Sequence, residues 1–220
     1  MRILYATDGS TAAKEGERLI ASMFDPTALH IETFSVHREL MYAMPPVDYS
    51  YELERLDIGP MNADEIAREA AEHLSEHGFD VSSSSERGDP ATKILNKLEV
   101  DDHDLVVLGG SHTSWMGTLL LGSVSMHVLH HADCSVLVAH QAPAGSARVL
   151  VAADGSAPSI AALELARKVL DRAKCFFRVA SAVTEPWLSV AVYPPGLPFG
   201  SHADFEAQNK KRVAPEEPLH

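Results

Sequence analysis

The sequence predicts an α/β fold built on a parallel β-sheet. Three features carry that prediction. Runs of strand length and apolar character, such as RILYAT at 2–7 and SVLVA at 135–139, alternate along the chain with segments of helical periodicity. The stretch DLVVLG at 104–109 is apolar throughout after its first residue, as expected of a strand buried on both faces. RILYATDGS at 2–10 recurs as RVLVAADGS at 148–156, and each copy leads into a helical pattern and then a β-type run. Strands that alternate with helices close into parallel sheets with right-handed crossovers.

A strand is expected at 2–7, then a helix at 10–23 with Ser10 placed to cap it. A second strand covers 29–37. Segment 38–60 carries Pro45, Pro46 and Pro60 and reads as a loop. Its Met41, Tyr42, Met44, Tyr49 and Tyr51 suit a packed loop, or a lid or partner surface. Ile66, Ala70, Ala71 and Leu74 fall at helical spacing, so a helix is expected at 61–78, ending near Gly78. A strand follows at 80–86. Asp89-Pro90 then opens a helix, with Asp89 as cap and Pro90 at the first helical position, where its missing N–H costs nothing. After the strand at 104–109 comes a glycine-bearing loop, a helix at 122–131 and a last strand at 135–139. Residues 1–140 therefore read as one complete unit and 141–147 (QAPAGSA) as a linker. Residues 148–220 read as a partial second copy. That copy has APSIAALELARKVL as its helix, CFFRVASAV at 175–183 as its second strand, and VYPPGLPF at 192–199 matching YAMPPVDYSY at 42–51. It shows no fourth strand and no Gly-Ser helix start, which predicts an uncovered sheet edge and helix face. Its tail, QNKKRVAPEEPLH, is polar and is expected to be disordered or loosely attached.

Of 220 residues, 45% are hydrophobic and 22% charged, enough apolar surface for a core. Lys and Arg number 18 against 31 Asp and Glu, a formal charge of -13. This argues against a nucleic-acid-coating role, which needs a basic face, and against docking on an anionic membrane. No run approaches the length of a membrane span, and the strand pattern that starts at Met1-Arg2-Ile3 leaves no room for a signal peptide. Cys134 and Cys175 are too few to staple such a chain, and the cytoplasm is the expected compartment.

Ligands of parallel sheets sit beyond the carboxyl ends of the strands, near the switch point. Two stretches fall there. In Ala6-Thr7-Asp8-Gly9-Ser10, Asp8 either accepts hydrogen bonds from a ligand amino group or ribose, or caps the helix that follows. In the stretch from Gly109 to Ser123, the Gly122-Ser123 pair opens a helix whose N–H groups and dipole suit an anion, or else forms an ordinary turn and cap. Neither a P-loop lysine nor a G-x-G-x-x-G pattern is present. His127, His130 and His131, with Asp133 behind them, have a spacing that suits zinc, but a solvated or interface helix face is the favoured reading. No carboxylate pair, catalytic lysine or metal cage falls near these stretches, so an enzymatic role is not expected from them.

The segments ILYATDGS, DLVVLGGSH and LLLGSVSMHVLHHADCSVLVAH, in that order, resemble the universal stress protein family. The resemblance covers 1–140 end to end and 148–200 in part, as a tandem form with a truncated second repeat. It implies a five-stranded parallel sheet between helices (Rossmann-like, adenine nucleotide alpha hydrolase-like). It also implies a homodimer through the last strand, or a pseudo-dimer through the second repeat, and bound ATP with Mg as its only metal. It places Asp8, after Ala6 and Thr7, against the adenosine, and the Val36 backbone against the adenine. Gly110, Ser111, His112 and Thr113 fall on the phosphate loop, and Gly122, Ser123, Val124 and Ser125 at the phosphate-side helix start. The family pattern is glycine, two residues, glycine, nine residues, then glycine with Ser or Thr. Counting from Gly110 puts Thr113 at the second glycine and leaves eight residues before Gly122; counting from Gly109 puts His112 there. A Cβ at that position resists positive φ and takes up phosphate space. Two functions follow: an ATP-binding stress protein, or a nucleotide-free member that acts as a dimeric scaffold.

Overall fold

The computed structural model describes residues 1–38, 62–110 and 121–181. Five strands form one parallel sheet: β1 (Arg2–Ala6), β2 (His30–His37), β3 (Asp80–Arg87), β4 (Leu105–Gly109) and β5 (Ser135–Ala139). Their order is β3-β2-β1-β4-β5. The strands and helices expected in 1–140 are present, with ends that shift by a residue or two, while the strand expected at 175–183 ends at Ala180. The proline-bearing loop with Met41, Tyr42, Met44, Tyr49 and Tyr51 lies outside the described residues, as does the polar C-terminal tail.

Two helices cover each face. On one side, α1 (Thr11–Met23) and α2 (Ala63–Glu76) set Ile20, Ala70 and Leu74 against Ile3, Tyr5, Ile31 and Val107. On the other, α3 (Pro90–Asp101) and α4 (Ser123–His131) set Ile94, Leu98 and Val128 against Leu4, Phe34, Val106 and Leu108. Each buried aliphatic side chain of this kind contributes about 1.5–3 kcal/mol. Ser10 Oγ accepts from the Ala13 N–H at 3.2 Å and starts α1. The Asp89 carboxylate accepts from Thr92 N–H at 2.9 Å and starts α3, with Pro90 in its first turn. Among the described residues no helix is long and apolar enough to cross a membrane.

Beyond β5, β6 (Ala147–Ala152), α5 (Ala157–Val169) and β7 (Cys175–Ala180) form a separate two-stranded parallel sheet with its own helix. Val169 is buried in the cluster that holds Ile20, Phe24 and Leu29, so this β-α-β piece sits against the first core. Among the described residues Leu150 and Phe176, which share one face of this small sheet, are each 68% exposed.

One polar group lies inside the α3 face of the main sheet. Glu32, in the middle of β2, receives Lys97 Nζ at 2.8 Å and the Ser84 hydroxyl at 2.6 Å. His103, at the end of α3, has a fully buried side chain. Its Nε2 lies 3.3 Å from Glu32 without the alignment of a hydrogen bond, and among the described residues neither ring nitrogen has a hydrogen-bond partner. Burial holds the His103 imidazole below its usual range, against the opposing pull of Glu32. Burial raises the Glu32 carboxyl, but Lys97 and Ser84 outweigh it and hold the group low. Both shifts act in one direction. Below about pH 6.5, the usual imidazole value, the unfolded chain takes up a proton that folded His103 refuses, and stability falls by up to about 1.4 kcal/mol per pH unit. Glu32 adds a further loss at lower pH. Urea titrations from pH 7 to 4 should show this decline, and His103→Phe should flatten its upper part, between pH 6.5 and 5.

Candidate functional site

The switch point lies between β1 and β4. From β1 the chain runs to β2 on one side, and β4 arrives on the other. The connections beyond the carboxyl ends part there and leave a cavity of about 540 Å³. Ala6, Thr7, Asp8, Val36, Gly110, Gly122, Ser123, Val124 and Ser125 all line it. Ser111, His112 and Thr113 lie outside the described residues.

Each side chain is placed by local structure. Thr7 N–H donates to the Phe34 carbonyl and extends the sheet pairing one residue past β1. Asp8 Oδ1 then accepts from Ser10 N–H at 3.0 Å, which closes a tight turn around Gly9, whose φ is 72°. Ser10 is thus the cap of α1, and Asp8 holds the turn ahead of it, on the wall of the cavity.

Three helices, α1, α3 and α4, start around the cavity, and they differ in one respect. Ser10 and Asp89 accept the first-turn N–H groups of α1 and α3. Gly122, at the start of α4, offers no side chain, and no acidic residue occupies that first turn. The N–H groups of Ser123, Val124 and Ser125 find no acceptor among the described residues. A helix terminus left open in this way is an anion site. The Ser125 hydroxyl is engaged elsewhere: it donates to the Gly109 carbonyl at 2.9 Å and ties α4 to the end of β4.

Gly109 and Gly110 have an unexpected role. A Cβ on Gly109 would lie 2.6 Å from the Ala12 carbonyl group, and one on Gly110 2.5 Å from the His140 ring. The close approach they allow is therefore to α1 and to the residue after β5. Gly122 is the reverse, since a Cβ there meets nothing within 4 Å.

The remaining walls were not singled out from the sequence. Phe34, Pro90 and Ile94 give the cavity an apolar side. Arg38 lines it as well, and Asp8 and Arg38 are the charged residues of the lining among the described residues. Applying the strand-end rule to β2 as well as to β1 and β4 points to Arg38. The Thr92 amide and hydroxyl hold the Asp89 carboxyl below its usual range, and Arg38 and His127 reinforce this from nearby.

The histidine run on α4 does not converge on one point. The His127 and His131 rings stack 4.4 Å apart, and His131 Nδ1 donates to the His127 carbonyl. Among the described residues, no group of three His, Cys, Asp or Glu side chains is placed to hold a metal ion.

A family model described as the universal stress protein family matches residues 1–140. A universal stress protein of Synechocystis is 33% identical over 85 residues, 39% of this chain and 55% of that protein. One from Methanocaldococcus jannaschii is 28% identical over 140 residues, 62% of this chain and 80% of its own length. The chain thus spans about half of the first relative and four-fifths of the second. The crystal structure of a universal stress protein from Archaeoglobus fulgidus shares the fold, with a TM-score of 0.56 and 24% identity over 76% of this chain and 61% of that one.

The glycine contacts can be tested without any ligand. Gly109→Ala drives a methyl into the α1 backbone, which cannot give way as a side chain would. It should cost roughly 1–3 kcal/mol and lower Tm by several degrees. Gly145→Ala, where a Cβ meets nothing within 4 Å, should stay within roughly 0.5 kcal/mol of the parent. Differential scanning calorimetry of both variants checks the contrast.

Proposed function

The chain belongs to the universal stress protein family, and from that premise we propose that its first unit binds an adenine nucleotide, ATP, in the cavity at the β1/β4 switch point and serves in a stress response. The observation that carries this reading is the open N-terminus of α4. Its first-turn N–H groups lack acceptors among the described residues, belong to residues that line the cavity, and suit a phosphate group. The rest of the cavity fits the rest of the molecule. Phe34, Val36 and Ile94 offer an apolar wall for a base, and Asp8 offers a carboxylate oxygen to a ribose hydroxyl or an amino group. A volume of about 540 Å³ lies within the ordinary range for such ligands. Gly110, Ser111, His112 and Thr113 belong to the same proposed site, with Mg accompanying the triphosphate. Pairing of two chains along the β5 edge, in the cytoplasm, completes the proposal. The alternative, a dimeric scaffold without nucleotide, is favoured by Thr113 standing where the family pattern has glycine.

Gly122 gives a decisive test, because its φ of -65° suits any residue and the space beside it is open. Gly122→Asp should cap α4 and add only about a few tenths of a kcal/mol of stability, because glycine is itself a tolerated cap. The same carboxylate would occupy the phosphate position and weaken ATP binding at least about ten-fold. Asp8→Ala should also weaken ATP without loss of fold. Calorimetric titration of nucleotide-stripped protein, with mass spectrometry of any molecule released on denaturation, reads both. No heat and no released nucleotide from the parent chain would favour the scaffold.

A further inference from the structure

Residues 147–180 meet the first unit through a contact that is the same from both sides. Phe24 and Leu170 form an isolated antiparallel bridge. Asp25 N–H donates to the Val169 carbonyl at 2.9 Å, and Asp171 N–H donates to the Met23 carbonyl at 2.8 Å. Met23, Phe24 and Asp25 stand 146 positions before Val169, Leu170 and Asp171, the offset that separates RILYATDGS from RVLVAADGS. Exchanging the two pieces leaves the contact unchanged, which is the property of a two-fold axis.

The correspondence runs through the whole piece at that offset. The β1–β2 register, Arg2 with His30 through Ala6 with Phe34, matches Arg148 with Phe176 through Ala152 with Ala180. Thr7 N–H donates to the Phe34 carbonyl as Ala153 N–H does to that of Ala180. Ser10 caps α1 and Ser156 caps α5, each accepting from the residue three positions on. Asp8 and Asp154 accept from Ser10 and Ser156, around Gly9 and Gly155 with φ of 72° and 83°.

We propose that residues 147–180 are a second copy of the β1-α1-β2 unit, and that they fill, within the same chain, a homotypic docking surface centred on Phe24. The chemistry of the surface explains why it selects its own copy. The end of α1 presents carbonyls without helical partners, an N–H one residue past Phe24, and the apolar side chains of Leu19, Met23 and Phe24. The end of α5 presents the same groups in reverse order, with Leu165, Val169 and Leu170 as the apolar set. Phe24 and Val169 are both almost wholly buried, in the same apolar cluster. A resident copy on the same chain competes at high effective concentration, so the surface is closed to other chains. Displacing that copy should let two first units pair through Phe24.

The test uses the full chain with Cys134→Ala and Cys175→Ala. The bridge residues form a pair whose Cα atoms lie about 4.5 Å apart, within the span of a disulfide. Phe24→Cys with Leu170→Cys should therefore oxidise to a link within one chain, read as a monomer on non-reducing gels and as a joined peptide by mass spectrometry. A 24–170 link between chains, or no link in folded protein, overturns the filling in cis. Phe24→Cys with Leu170→Asp should give a 24–24 link between chains, at least about ten-fold more than Phe24→Cys alone. No increase overturns the homotypic surface. Amide exchange at 3–6 reports whether the Leu170→Asp chain keeps its main sheet; if it does not, Leu170→Ala takes its place and must raise the same link.

Discussion

The confinement of β1 governs the rest of the molecule. It is hydrogen-bonded on both sides, to β2 and to β4, and Ile3, Leu4 and Tyr5 are closed off from water. A strand held in this way cannot tilt or slip, because a shift of one residue would turn every buried side chain to the wrong face. Its end is therefore a fixed point. The chain leaves it toward β2 and returns beside it as β4, and the crevice between those paths is the cavity. Core and cavity thus share one cause. The Tyr5 hydroxyl, which donates to the Ala13 carbonyl at 2.6 Å, locks the start of α1 to the same strand.

The cavity's electrostatics are local and run against those of the whole chain. The formal charge is -13, yet the lining concentrates peptide N–H groups at the start of α4 and includes Arg38. Dipoles of this kind act within about one helical turn, and distant surface carboxylates are screened. The overall acidity therefore does not decide what the cavity accepts. The arrangement of the three helix starts does, and two of them are already satisfied by Ser10 and Asp89.

Much of the fold was legible because it depends on short-range chemistry. The apolar run at 104–109 became β4, Ser10 and Asp89-Pro90 became helix starts, and Gly122 became the start of α4. The site was legible where it follows strand ends, as at Ala6 to Asp8. Arg38 escaped because the strand-end rule was applied to β1 and β4 and not to β2, whose expected end at 37 stands directly before it. The role of Gly109 escaped for a different reason. Its neighbour, the Ala12 backbone, is 97 residues away in sequence, and only the packed helix reveals the contact. Glu32 escaped because a lone carboxylate in a strand looks like an exposed face until Lys97, Ser84 and His103 arrive from elsewhere. The contact at Phe24 and Leu170 likewise has no local signature.

The turn at Asp154 has a meaning of its own. It reproduces the Asp8 turn down to its hydrogen bond, and the Ser156 hydroxyl and amide draw its carboxyl down to about 2. Yet among the described residues no helix start faces it across a crevice. Among the described residues, a ligand that needs both an aspartate turn and an open helix terminus therefore has one place. There the doubled fingerprint does not double the capacity. Binding confined to that place would follow a simple hyperbola, and a sigmoid response would have to arise between chains.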